Sequence, residues 1–163
     1  MNFEKSFSLL IDFEGGYSNN PKDPGGETKF GISKRAYPNL NIKNLTEDQA
    51  KEIYKKDYWD ACRCAELPEF LKYSVFDYAV NSGPKKAVEV MQEILSEFGF
   101  PIGGVDGIIG PKTMAHIKLV DPYEFAILLN QKRLLNFTNI KNWDSFGKGW
   151  VKRICKILKH AKE

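Results

Sequence analysis

Three side chains near the start of the sequence have the types and spacing to break a bond by acid–base chemistry. They are Glu14, Asp23 nine residues later, and Thr28 five residues after that. Glu14 stands directly before Gly15-Gly16, at the end of a stretch with helical apolar spacing. A carboxyl at a helix C-terminus faces the negative end of the helix dipole, and an apolar stripe beside it removes water. Both effects disfavour ionisation, and a carboxyl kept protonated near neutral pH is what a general acid requires. The two glycines let backbone or substrate come close. Taken alone, a glutamate before Gly-Gly also reads as an ordinary helix end.

The stretch that follows widens the chemistry. It is rich in turn formers, with Asn19-Asn20-Pro21 and then Asp23-Pro24-Gly25-Gly26, and reads as an extended loop or short hairpin. Such a loop can fold back to set Asp23 and Thr28 across a cleft from Glu14. An acid facing a carboxylate with room for a water between them is the arrangement of inverting glycosidases. The Thr28 hydroxyl could help Asp23 hold that water. The competing reading is that Asp23 and Thr28 only satisfy backbone groups of the turn.

The elements that must position these groups are helical. Phe3, Phe7, Leu10 and Ile11 recur at helical spacing, with Glu14 on the same stripe. Thr46 and Gln49 form a capping box for a second helix, whose buried face is marked by Ala50, Ile53, Tyr54 and Tyr58. Pro68 opens a third helix, with Leu71, Val75, Phe76 and Ala79 inward, ending at Gly83. Pro84 opens a fourth, carrying Ala87, Val88, Met91 and Leu95, which stops near Gly99 and Pro101. A glycine-rich turn over residues 105–110 leads to a short helix at Pro111. Asp121-Pro122 then caps a longer one through Leu135. The last helix runs from about Asp144, with Trp150, Ile154, Ile157 and Leu158 inward.

Composition is that of a soluble globular chain: 163 residues, 42% hydrophobic and 28% charged. The net charge of +3 is too mild to point to nucleic acid. Basic residues do gather at the end, where Lys141, Lys148, Lys152, Arg153, Lys156, Lys159 and Lys162 face only Asp144 and Glu163. That helix could contact an anionic polymer or surface, or simply present a solvated face. Three cysteines, with Cys62-x-Cys64 lacking metal-ligand spacing, argue against both a disulfide framework and a structural zinc. No cofactor or metal is expected. Residues 1–12 lack the apolar core of a signal peptide, and no run approaches a membrane span.

The motifs Glu14-Gly15-Gly16-Tyr17, Asp23-Pro24-Gly25-Gly26, Thr28, Phe30-Gly31-Ile32, Tyr58-Trp59 and Asp77-Tyr78-Ala79-Val80-Asn81-Ser82-Gly83-Pro84 together resemble glycoside hydrolase family 108. Its members are peptidoglycan muramidases, many from phage lysis cassettes. The Glu, Asp, Thr order also resembles the phage lysozyme triad, where the Asp–Thr gap is one residue longer. Downstream, Val105-Asp106-Gly107-Ile108-Ile109-Gly110-Pro111-Lys112-Thr113, with Phe146, Gly149-Trp150 and Arg153-Ile154, resembles the peptidoglycan-binding region that usually follows this catalytic module.

The resemblance implies a mainly α, α+β lysozyme-like fold, a helical bundle with a small β-hairpin or loop lip after the first helix. It implies a catalytic region over residues 1–92 and a wall-binding region over residues 93–163. The implied reaction is hydrolysis of the bond between N-acetylmuramic acid and N-acetylglucosamine, inverting, with Glu14, Asp23 and Thr28 catalytic. Tyr17, Phe30, Tyr58, Trp59 and Asn81 could contact sugar through ring faces and an amide, although Phe30, Tyr58 and Trp59 suit a core as well. The expected partner is the glycan strand, met by a monomer made in the cytoplasm and released to the periplasmic wall, for instance through a holin. The rivals are a lytic transglycosylase, a non-catalytic wall-binding or secretion-activating protein, and activity on chitin.

Overall fold

The structure is a computed structural model that describes residues 1–11, 16–19 and 26–160. Its helices are α1 (Phe3–Ile11), α2 (Glu47–Tyr54), α3 (Glu69–Ser82), α4 (Pro84–Glu97), α5 (Pro111–Ile117), α6 (Pro122–Thr138) and α7 (Trp143–His160). A π-helical segment, Lys55–Asp60, continues α2, and a 3₁₀ turn follows at Cys64–Glu66. Two short antiparallel strands, β1 (Thr28–Lys29) and β2 (Ile32–Ser33), form a lip between α1 and α2. This is the mainly α, lysozyme-like architecture expected from the sequence. No described helix is long and apolar enough to cross a membrane.

The helix boundaries follow the capping chemistry. Thr46 Oγ1 accepts from the Gln49 amide at 3.2 Å, and Gln49 Oε1 accepts from the Thr46 amide at 3.0 Å, completing the capping box. Asp121 caps α6 by accepting from the Glu124 amide at 2.7 Å. Pro84, Pro111 and Pro122 open their helices, where a missing N–H costs nothing.

The core forms around α3, which packs against α1, α4, α6 and α7. Every residue from Tyr73 to Ala79 is buried, so the middle of α3 has no solvated face and behaves as a central helix. Its polar residues therefore need partners. Asn130 of α6 donates from Nδ2 to Ser74 Oγ at 3.2 Å and to the Ala126 carbonyl at 2.9 Å. Asp77, fully buried, receives Arg133 of α6 (Nη1 at 2.7 Å) and Arg153 of α7 (Nη2 at 2.9 Å, Nε at 3.0 Å). One carboxylate thus joins three helices. The Arg133 guanidinium also lies 5.0 Å from the Tyr78 ring centroid and 5.3 Å from that of Phe137.

The glycine-rich turn over residues 105–110 folds onto α4 through Gln92. Its Nε2 donates to Asp106 Oδ1 (2.8 Å) and to the Ile108 carbonyl (3.0 Å). Its Oε1 accepts from the amides of Asp106 (3.0 Å) and Gly107 (2.8 Å). Gly107 has φ +76°, and a Cβ there would stand 2.6 Å from Lys85 Cγ and 3.1 Å from the Lys85 carbonyl oxygen. Position 92 lies within α4, and buried residues on both sides of it belong to one core cluster.

Candidate active site

Glu14 and Asp23 lie outside the described residues; the chain on either side of each is described. Helix α1, which leads to Glu14, is described as far as Ile11. Its inward stripe, Phe3, Phe7 and Leu10, is buried and anchors that arm in the core. The segment that carries Asp23 is bounded by a reciprocal pair. Ser18 and Thr28 exchange both backbone hydrogen bonds at 2.8 Å. The chain therefore leaves and re-enters at one place, beside β1.

The lip itself is a two-residue hairpin. Lys29 pairs with Ile32 across Phe30-Gly31, and both loop residues have positive φ, +50° and +74°. Such turns match the twist of the strands but suit Asn-Gly or Gly-Gly. A phenylalanine in the left-handed region costs roughly 1–2 kcal/mol, so neighbours must hold it there. Tyr54 Oη donates to the Phe30 carbonyl at 2.8 Å, and Lys29 Nζ lies 5.4 Å from the ring centroid.

Tyr54 is the joint between the two arms. Its ring packs against Phe7 of α1 at 5.8 Å and against Phe76 of α3 at 6.4 Å, while its hydroxyl holds the lip. A Tyr54→Phe variant is expected to lose about 1 kcal/mol of stability and to hydrolyse glycan several-fold more slowly, because the lip is released while the core ring remains. Thermal unfolding and a hydrolysis assay on the same preparation check both; an unchanged rate would remove Tyr54 from the site.

The structure brings some of the expected site residues together at the lip and separates others. Thr28 sits on β1, half-buried, and among the described residues its hydroxyl reaches only the Gly26 carbonyl at 3.4 Å, a weak bond. Tyr17 is exposed and donates from its hydroxyl to Glu27 Oε1 at 2.8 Å. That bond raises the phenol pKa above its ordinary value. Phe30 forms the tip. Tyr58 is half-buried, its ring 5.5 Å from that of Tyr54. Trp59 is different: only 3% exposed, it packs edge-on against Phe3 (5.6 Å) and Phe76 (5.5 Å), and supports the site from within the core. Asn81 is exposed on α3, one turn beyond the buried Asp77.

Sequence reading passed over Glu27, the Tyr54 hydroxyl and Arg133. Glu27 carries no spacing signal beyond its place next to Thr28. Tyr54 reads as one more apolar position of α2. A lone arginine in a long helix reads as solvated, and only the burial of its partner Asp77 changes that.

Comparison with known proteins agrees with this geometry. The family model for glycosyl hydrolase 108 matches residues 7–83, a span that runs from α1 through the lip to the end of α3. Glu14, Asp23 and Thr28 all fall within it. Among solved structures, that of Brucella abortus SagA matches with a TM-score of 0.86 and 30% sequence identity, covering 98% of this chain and 92% of that one. No curated protein matches. A family match over the lip and its supporting helices, joined to a fold shared along nearly the whole chain, places this protein in the glycosyl hydrolase 108 family as a lysozyme-like glycoside hydrolase.

Proposed function

We propose that the chain hydrolyses the bond between N-acetylmuramic acid and N-acetylglucosamine in peptidoglycan, as an inverting N-acetylmuramidase. Membership of the glycosyl hydrolase 108 family supports peptidoglycan hydrolysis as the general activity. The specific support is the lip. The Ser18–Thr28 pair bounds the segment that carries Asp23, and Tyr54 ties the lip to the helix that leads to Glu14.

In this reading Glu14 protonates the glycosidic oxygen as the C1–O bond breaks. Asp23 takes a proton from a water that attacks C1 from the opposite face, and Thr28 helps to hold that water. Inverting enzymes keep their two carboxyls roughly 6.5–9.5 Å apart to admit the water. The products are a new reducing-end muramic acid and a free 4-hydroxyl on glucosamine. Asp23 ends protonated and Glu14 ionised, and exchange with solvent resets both. Tyr17, Phe30, Tyr58 and Asn81 are proposed to contact the sugars, with Trp59 behind them.

The catalytic region is proposed to span residues 1–92 and the wall-binding region residues 93–163, sharing α4 and one core. Lys148, Lys152, Lys156 and Lys159 are exposed along α7 at three- and four-residue spacing, which supports contact with an anionic polymer. The protein is proposed to act as an endolysin-like monomer on the wall, after release from the cytoplasm. Asp23→Asn tests the hydrolytic step. It should keep the fold and reduce release of reducing sugar from purified sacculi about 100-fold or more, in line with loss of a general base. Unchanged release would remove Asp23 as the base; a lytic transglycosylase, which needs no carboxylate to hold water, would instead leave anhydromuramic ends that carry no reducing sugar.

A further inference from the structure

Beside the lip lies a cavity of about 500 Å³ that the hydrolytic reading does not use. One wall is the chain that leaves β2, over residues 36–40; the other is the end of α2 and the start of the π-helical segment. Leu40 and Ile53 give it an apolar lining, and Tyr37 adds a ring. π-helical segments inside helices occur often at functional sites, and this one contributes Lys56 and Asp57 to the wall.

The polar lining carries both signs of charge. Glu52 and Lys56 are exposed, stand one helical turn apart, and form no ion pair with each other or with any other described residue. Asp57 is half-buried, and Tyr37 Oη donates to its Oδ2 at 2.9 Å, which fixes the carboxylate. Burial, together with hydrogen bonds to Tyr58 and Asp57, pushes the Tyr37 phenol well above its ordinary range, so it stays a donor. The wall therefore offers a held carboxylate, a second carboxylate and an ammonium around an aliphatic floor. A neutral sugar would leave these charges unanswered. A short peptide bearing one free ammonium and one free carboxylate answers them with charge-assisted bonds.

We infer that this cavity binds the peptide stem of peptidoglycan, with Asp57 and Glu52 taking the free amine of its diamino acid and Lys56 taking its terminal carboxylate. The inference rests on the peptidoglycan reading and deepens it: the substrate is the peptide-bearing strand. The reach is sufficient. Ala36 follows Ser33 of β2 by three residues, at most about 11 Å of chain, and an extended tetrapeptide spans up to about 14 Å. A stem branching from a muramic acid held at the lip is thus long enough to span that length of chain.

The test is amide NMR of the full chain, titrated with three probes: the free stem tetrapeptide, the same peptide acetylated on its diamino-acid amine, and an N-acetylglucosamine oligomer. The free peptide should shift amides of residues 36–40 and 52–57. Acetylation, and separately Lys56→Glu or Asp57→Asn, should each weaken its binding about tenfold, the size of one charge-assisted bond. Equal binding of the two peptides, shifts elsewhere in the chain, or displacement of these amides by the sugar oligomer alone would overturn the inference. Hydrolysis of bare glycan, measured in parallel, separates the two readings. A chain that cuts bare glycan and ignores the peptide overturns the peptide site only. A chain that binds the peptide here and cuts neither bare glycan nor purified sacculi overturns the hydrolase reading and supports the site.

Discussion

An Asp77→Ala variant is expected to lose about 3–5 kcal/mol of folding stability, the range for breaking a buried ion pair from one side. Asp77 is 0% exposed and is shared by Arg133, also 0% exposed, and Arg153. Burial pulls the Arg133 guanidinium below its ordinary pKa, and the Asp77 charge pulls it back up. With the carboxylate gone, the buried Arg133 and the largely buried Arg153 lose the charge they share, and the seams of α3 with α6 and α7 carry the cost. A midpoint lower by on the order of 10 °C is expected for a chain of this size, read by thermal or denaturant unfolding. Asp77→Asn keeps the shape and one of the two acceptor oxygens but not the charge, and should fall between alanine and wild type. If alanine cost less than about 1 kcal/mol, the carboxylate would not be the brace described above.

The second large effect is on rate. Glu14→Gln should leave the unfolding midpoint near wild type and reduce release of reducing sugar from sacculi by about 100- to 10,000-fold, the contribution of a positioned general acid. Glutamine keeps the size and polarity of the side chain but has no proton to give to the leaving oxygen. The contrast between the two variants matters. Asp77→Ala should fail chiefly in stability, and Glu14→Gln in turnover with the fold retained. A Glu14→Gln enzyme that cleared cell walls at the wild-type rate would remove the assignment.

The helical frame was legible because its signals are local. Thr46 with Gln49, Asp121 before Pro122, and the prolines at positions 84 and 111 fix helix starts through caps that need no tertiary partner. The lip was legible as an extended loop or hairpin. Its turn geometry was not, because Phe30 in the left-handed region contradicts residue preference and is held there by Tyr54, 24 residues away. The π-helical winding at Lys55–Asp60 leaves no mark in apolar periodicity over so short a span. Long-range polar pairing was also hidden. Asp77 and Arg153 are 76 residues apart and Gln92 reaches across to Asp106, so neither spacing nor composition joins them. Trp59 marks the limit of reading by residue type: an aromatic beside a site motif is as suited to the core as to a sugar, and burial assigns it to the core.

Mass spectrometry of the soluble products from purified peptidoglycan tests the central claim most directly. An N-acetylmuramidase working with a water held opposite its acid must leave muramic acid at every new reducing end, each fragment heavier by one water than its anhydro counterpart. Fragments ending in reducing N-acetylmuramic acid are the predicted result. Anhydromuramic ends, or new ends on N-acetylglucosamine, would contradict it.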